Sequence, residues 1–255
     1  MQVATIVPTP YLKLTKKDQY FMCLAHLVLK DDTYGEFFFD RAREGKFVIM
    51  DNGAAEHAQP TVEELLHAMS KVHPSEVVLS DVLFNKDATL RSTFESLTFY
   101  LEEIGKEVVQ FMAVPQGNTF EEWVECAREL CLCPDIHTIG VSKFITNQFG
   151  DNARLLAVEA LQPFIGDKDI HLLGCWADPL EPVTIDRYCW SHQFKAPRGV
   201  DSGIAYAFSM KGLTMLQAPR PQDEIEFHKA KATIELLSHN IDIWKMCCAV
   251  GETSE

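Results

Sequence analysis

Three aspartates occupy matching places in this sequence. Phe47-Val48-Ile49-Met50 is a short apolar run that ends at Asp51-Asn52-Gly53. Val77-Val78-Leu79-Ser80 ends at Asp81, and Gly199-Val200 leads into Asp201-Ser202-Gly203. A short apolar run closed by turn residues reads as a buried strand, so each carboxylate stands where a strand gives way to a loop. Another run, Val108 to Val114, ends in Pro115-Gln116-Gly117-Asn118 and offers an amide in place of an acid. One Asp-Asn-Gly alone only caps a turn. Repetition of the pattern points to chemistry. Two carboxylates in one pocket divide labour when their surroundings separate their pKa values, one ionised as nucleophile and one protonated as acid. A third carboxylate beside an amide suits a guanine-like ring: the acid accepts from N1–H and the exocyclic amine, and the amide meets the carbonyl. Gly117, Gly140 and Gly174 follow or interrupt the same kind of run, and glycine lets a flat ring approach the backbone closely.

The remaining chain supplies the elements that would bring these residues together. Val3 to Val7, Thr138 to Ser142 and Ile170 to Gly174 read as further strands. Between the strands lie helical patterns. Lys16 to Lys30 is expected as a helix. Thr61 to Glu64 and Thr119 to Glu122 have the spacing of capping boxes. Leu90, Phe94, Leu97, Leu101 and Ile104 repeat at helical steps up to a Gly105 C-cap, and Asn152 to Leu161 follows the same logic. A last helix over about 222–248 carries Phe227, Ala230, Ile234, Leu237, Ile241, Trp244 and Cys248 on one seam. Alternation of strand and helix is the pattern of a parallel α/β protein. Seven strands are readable, and an eighth is expected without a clear location. The reading is a (β/α)8 TIM-like barrel, and residues 1–255 form a single domain because no composition break marks a linker. In such a barrel the strand C-termini share one mouth. No G-x-G-x-x-G follows any strand, which argues against a dinucleotide fold, and the G-x-x-x-x-G-K phosphate loop is absent too.

Composition narrows the field. The chain has 255 residues, 47% hydrophobic with 16 Phe, enough for a full core. It has no apolar run near the ~20 residues of a membrane span, and no basic leader precedes its first apolar residues. Its eight cysteines are scattered, which fits reduced thiols and a cytoplasmic location, the host cytoplasm if the chain is phage-encoded. Cys131-x-Cys133 with His137 has partial ligand spacing, and Cys247-Cys248 stand too close together, so no metal is expected. A net charge of −14 repels polyanions at long range. One window runs against it: Arg187, Lys195, Arg198, Lys211 and Arg220, with Asp201 as its only acid. Lys195, Arg198, Lys211 and Arg220 are therefore expected to contact phosphates beside Asp201.

The collinear order of Asp51-x-Gly53, Ser80-Asp81, Val114-Pro115-Gln116-Gly117-Asn118, Ile139-Gly140-Val141-Ser142 and Gly199-Val200-Asp201-Ser202-Gly203 resembles the tRNA-guanine transglycosylase superfamily. The short length is similar to its DNA-directed branch, the 7-deazaguanine DNA transglycosylases of phages and bacteria. The resemblance covers about residues 45–210. It implies Asp201 as nucleophile and Asp51 as general acid/base, with Asp81, Gln116, Gly117 and Gly140 reading the base. Asn52 and Ala54 depart from the family's Asp-Ser-Gly-Gly, and the Cys-x-Cys-x-x-Cys…His zinc spacing of the tRNA enzymes is missing after Asp201. The expected activity is exchange of guanine in DNA for a 7-deazaguanine base, with that base as co-substrate and no zinc, redox cofactor or ATP. The alternatives are a tRNA transglycosylase, a glycoside hydrolase with paired acids, and a non-catalytic binder of modified bases.

Overall fold

A computed structural model of the chain describes residues 1–105, 108–175, 178–217 and 231–249. Its strands are β1 (Gln2–Thr5), β2 (Tyr20–Leu24), β3 (Phe47–Asp51), β4 (Glu76–Val78), β5 (Gln110–Ala113), β6 (Thr138–Ser142), β7 (Asp169–Leu173) and β8 (Gly199–Ser202). They form one parallel sheet in the order β1-β8-β7-β6-β5-β4-β3-β2, curled into a nearly closed (β/α)8 TIM-like barrel. β1 and β2 are the ends of that order.

The helices are α1 (Ala25–Lys30), α2 (Asp32–Arg43), α3 (Val62–Val72), α4 (Lys86–Ile104), α5 (Phe120–Cys131), α6 (Phe144–Phe149), α7 (Ala153–Leu161), α8 (Glu181–His192), α9 (Ile204–Ser209) and α10 (Ile234–Cys248). Alternation along each strand divides the apolar residues into two cores. Phe21, Val48, Met50, Val77, Phe111, Ile139, Ile170 and Val200 belong to the layer shared with the helices. Ala4, Tyr20, Met22, Ile49, Val78, Met112 and Val114 fill the barrel interior. Gly140 belongs to that interior: a Cβ there would lie 2.6 Å from Leu173 Cδ1 and 3.1 Å from Met112 Sδ.

One expected element is corrected. The helix expected over Lys16–Lys30 is a strand followed by a short helix, β2 and α1, after a 3-10 segment at Thr9–Thr15. This is the eighth strand. Every residue of Tyr20–Leu24 is buried, so the run is apolar on both faces and shows no alternation to separate it from a helix. The Thr61 capping box forms in full, and Gly105 ends α4 with φ 79°. The second box forms by half: Thr119 accepts from Glu122 N, while the Glu122 carboxylate turns back to Asn118 N at 2.8 Å. Leu237, Ile241, Trp244 and Cys248 of the last seam are buried, whereas Ile234 is exposed. Phe227, Ala230 and the first part of the expected 222–248 helix lie outside the described residues. Among the described residues no helix is long and apolar enough to cross a membrane.

Candidate active site

Asp51 closes β3, and its loop is shaped by two successive side-chain turns. Asp51 Oδ2 accepts from Gly53 N at 2.9 Å, and Asn52 Oδ1 accepts from Ala54 N at 2.9 Å. Gly53 takes φ +73°, where a side chain would also crowd Ala58 O and His26 Nδ1, each 3.1 Å from a Cβ. Asn52, a departure from the family motif, has a structural task. Its Nδ2 donates to Leu79 O at 2.6 Å and to Asp81 Oδ1 at 2.8 Å, so the acid loop is tied to the next strand.

Asp81 stands three residues beyond the end of β4 and is held by a polar stripe on α4. Thr89 Oγ1 accepts from Val82 N at 3.0 Å and donates to Val82 O at 2.9 Å. Thr93 donates to Ser80 O at 2.8 Å, and Ser96 Oγ accepts from Ser80 N at 3.3 Å. All three hydroxyl residues are buried and satisfied there, Ser96 Oγ by also donating to Thr93 O at 3.0 Å. The helical spacing of 89, 93 and 96 is visible in the sequence, yet only the apolar face of α4 was read there. Gln116 meets Asp81 from β5: Nε2 donates to Asp81 Oδ2 at 2.7 Å, and Oε1 accepts from Phe84 N at 3.2 Å.

Asp201 lies within β8 and points into the barrel, only 5% exposed. Its Oδ1 is 3.1 Å from His171 Nε2 and accepts from Gly174 N at 3.1 Å. Among the described residues no hydrogen bond reaches Oδ2. Arg154 of α7 ties Gly174 to its neighbours with five donor contacts, to Val141 O (twice), Leu173 O, Gly174 O and the Glu181 carboxylate.

Asp51, Asp81, Gln116 and Asp201 all line one cavity of about 110 Å³ at the strand C-termini. That is the space of several waters. Gly117 and Gly140 stand behind the lining. Gly117 lets the loop close onto α5, where a Cβ would lie 2.4 Å from Trp123 N, and Gly140 packs in the interior as described. Two further charged residues line the cavity. Glu56 is exposed at the rim, and among the described residues of the lining Lys143 is the one cation beside four carboxylates. Both sit on loops after a strand, so their direction was not legible from periodicity.

Electrostatics separates the acids. Burial pushes Asp51 well above the usual carboxylate range, and the Glu56 charge adds to it, with Asp201 and Asp81 contributing less. Burial also raises Glu56, with Lys143 pulling it back, and water at the rim weakens that shift. Asp81 is pushed up to about 6 by burial, against the Asn52 and Gln116 donors that favour its charged form. If Asp81 reads a guanine as carboxylate, affinity for the free base is flat near pH 8 and falls as Asp81 takes up a proton. The expected loss is about tenfold at pH ~5. Calorimetric titration of guanine across this range measures it, and constant affinity would remove Asp81 from base reading.

The basic window divides differently. Arg198 precedes β8 and bonds Glu76 and Asp169, the first residues of β4 and β7, at 2.5 and 3.0 Å. It therefore lies at the strand N-termini, the end of the barrel away from the cavity. Lys195 precedes it in the same connection, with Nζ on Gly166 O at 3.2 Å. Neither residue can hold a phosphate beside Asp201, because proximity in sequence spans the full height of a strand here. Lys211 is exposed just after α9, and Arg220 lies outside the described residues. Of the cysteine-histidine set, Cys131 is buried and His137 Nδ1 accepts from Phe111 N at 3.2 Å. Among the described residues no group of three or more His, Cys, Asp or Glu is arranged to hold a metal ion.

No protein-family model matches the chain, and no curated protein matches it in sequence.

Proposed function

We propose that the protein is a base-exchange transglycosylase that replaces guanine in DNA with a 7-deazaguanine base. The observation that carries this reading is the sharing of one cavity by Asp51, Asp81, Gln116 and Asp201. Asp201 attacks the sugar C1′ as the bond from C1′ to N9 of guanine breaks, and Asp51 gives its proton to the departing base. The incoming 7-deazaguanine returns a proton from N9 to Asp51 and forms a new bond to C1′, which releases Asp201. One N-glycosidic bond replaces another, so the exchange needs no oxidant and no nucleotide energy source. Asp81, steadied by Asn52 and Gln116, accepts from N1–H and the exocyclic amine of either base. The raised pKa of Asp51 supports its role as the protonated partner.

DNA is the named polymer because the cysteine spacing of the tRNA enzymes is missing from the sequence. The arginine and lysine window no longer supports that choice, since Lys195 and Arg198 lie away from the cavity. A duplex target must present its nucleotide outside the stack, because C1′ and the base both enter the cavity. Nucleoside mass spectrometry of DNA and of tRNA, each incubated with the protein and candidate 7-deazaguanines, tests the reading. The expected result is incorporation into DNA. Incorporation into tRNA alone would move the protein to the other branch, and incorporation into neither would end the base-exchange reading.

A further inference from the structure

Beneath the acids, a single file of polar side chains descends through the barrel interior. At the floor, Arg198 donates Nη2 to Glu76 at 2.5 Å and Nη1 to Asp169 at 3.0 Å, with its guanidinium 4.8 Å from the Phe47 ring centre. Glu76 is fully buried and also takes the Thr138 hydroxyl. Arg198 Nε donates to the Tyr20 hydroxyl at 3.3 Å. That hydroxyl is 2.9 Å from His171 Nδ1, and His171 Nε2 is 3.1 Å from Asp201 Oδ1. Tyr20 and His171 are 3% and 0% exposed. Gly199 makes the room: a Cβ there would lie 2.7 Å from Tyr20 Cε1 and 2.9 Å from its hydroxyl oxygen.

The direction of every bond in this file follows from its lowest member. A guanidinium N–H only donates, so the Tyr20 oxygen accepts from Arg198. Its own proton then needs an acceptor, and His171 Nδ1 is the one in reach. A ring nitrogen that accepts carries no proton, which puts the proton of the neutral ring on Nε2. The opposite arrangement fails twice. It would leave the Tyr20 proton unpaired in a buried site, and it would set a bare Nε2 against a carboxylate oxygen.

We infer that His171 is a positioning residue for Asp201, with its proton fixed on Nε2 by the Arg198–Tyr20 pair below it. The inference rests on the base-exchange reading only in taking Asp201 as nucleophile. His171 Nε2–H and Gly174 N–H both occupy Oδ1, which turns Oδ2 to the cavity. When Oδ2 bonds C1′ and the base departs with the C1′–N9 electron pair, Oδ1 becomes the ester carbonyl. When the incoming base displaces Asp201, the electron pair of the C1′–Oδ2 bond returns to the carboxylate. The two donors are already aimed at the oxygen that shares the charge. Arg198, read from the sequence as a phosphate contact, is on this view the anchor of the nucleophile.

Nitrogen-15 NMR of the histidine rings in the full chain, with His171 assigned from the His171→Gln spectrum, reads the proton directly. The expected spectrum has an unprotonated Nδ1 and a protonated Nε2, and Tyr20→Phe, in which Nδ1 loses its donor while Asp201 still faces Nε2, should shift the Nδ1 resonance. A wild-type proton on Nδ1, or an unchanged Nδ1 resonance in Tyr20→Phe, overturns the inference whatever the activity of the protein. Kinetics supplies the second arm. His171→Leu should form the covalent Asp201 adduct roughly 10²-fold more slowly, with the KM for the base unchanged, and His171→Gln should recover part of the rate through its amide N–H. Equal rates in wild type and His171→Leu would overturn the positioning role. Absence of any adduct in wild type, with the expected spectrum, would count against base exchange and leave the proton assignment standing.

Discussion

An Asp201→Asn protein is expected to fold like wild type and to form no covalent adduct, with base exchange reduced by at least about 10⁴-fold. The fold survives because an asparagine carbonyl in place of Oδ1 still accepts from His171 Nε2–H and Gly174 N–H. The chemistry is lost because the atom facing the cavity becomes an amide nitrogen with no charge to give C1′. Asp201→Ala is the less clean experiment. Asp201 is a buried strand residue and not a loop residue, so alanine leaves the His171 donor without a partner, at roughly 1–3 kcal/mol. Denaturing electrophoresis of protein incubated with guanine-containing DNA and tRNA shows the adduct. A persistent adduct in Asp201→Asn would place the nucleophile elsewhere.

Asp51→Asn should move stability and turnover in opposite directions. The amide oxygen can keep the bond from Gly53 N, so the loop is retained, while the general acid is gone and exchange slows by about 10²- to 10⁴-fold. Stability should rise, and more so at higher pH. The folded pKa of Asp51 lies above its unfolded value, so the folded state holds the proton more tightly. Its contribution is present below the ordinary carboxylate pKa and is lost as pH rises through the folded pKa. Asparagine has no charge to confine beside Glu56, Asp201 and Asp81, so the variant escapes that loss. Urea unfolding of both proteins at about pH 5 and about pH 8 measures it. A variant equally or less stable than wild type at the higher pH would show that the acid cluster carries no strain, and unchanged turnover would remove Asp51 from the mechanism.

The fold was legible wherever a strand ended on a recognisable residue. β3, β4, β5 and β8 announce themselves because an apolar run stops at an acid or a Pro-Gln-Gly turn, and those stops are also the site. β2 was hidden because Tyr20–Leu24 is buried on both sides and runs straight into Ala25–Lys30. The partners of the site residues were less legible than the residues themselves. Asn52 looked like a defect in a motif, and only the register of β3 against β4 shows that it reaches Asp81. His171 was one polar residue in an apolar strand, a pattern that gives no distance to Asp201 thirty residues on. Arg198 was misplaced for the converse reason: three residues along a strand carry the chain from one end of the barrel to the other.

The gap in the hoop has a mechanical meaning. Seven neighbouring pairs of strands are laced by peptide hydrogen bonds, and β1 and β2 face each other without a ladder. A ring stitched all round spreads a load evenly, and a ring with one unlaced junction yields there first. Ile6, Met22 and Leu24 flank that junction and also line the cavity, while Leu24 is in register with Asp51 across β2 and β3. Asp201 is likewise in register with Ala4 across β8 and β1, so each of these two carboxylates sits one laced strand away from the unlaced junction, on opposite sides of it. A parting of the junction would therefore widen the cavity between Asp51 and Asp201, while His171 and Asp201, on the laced pair β7 and β8, would keep their spacing.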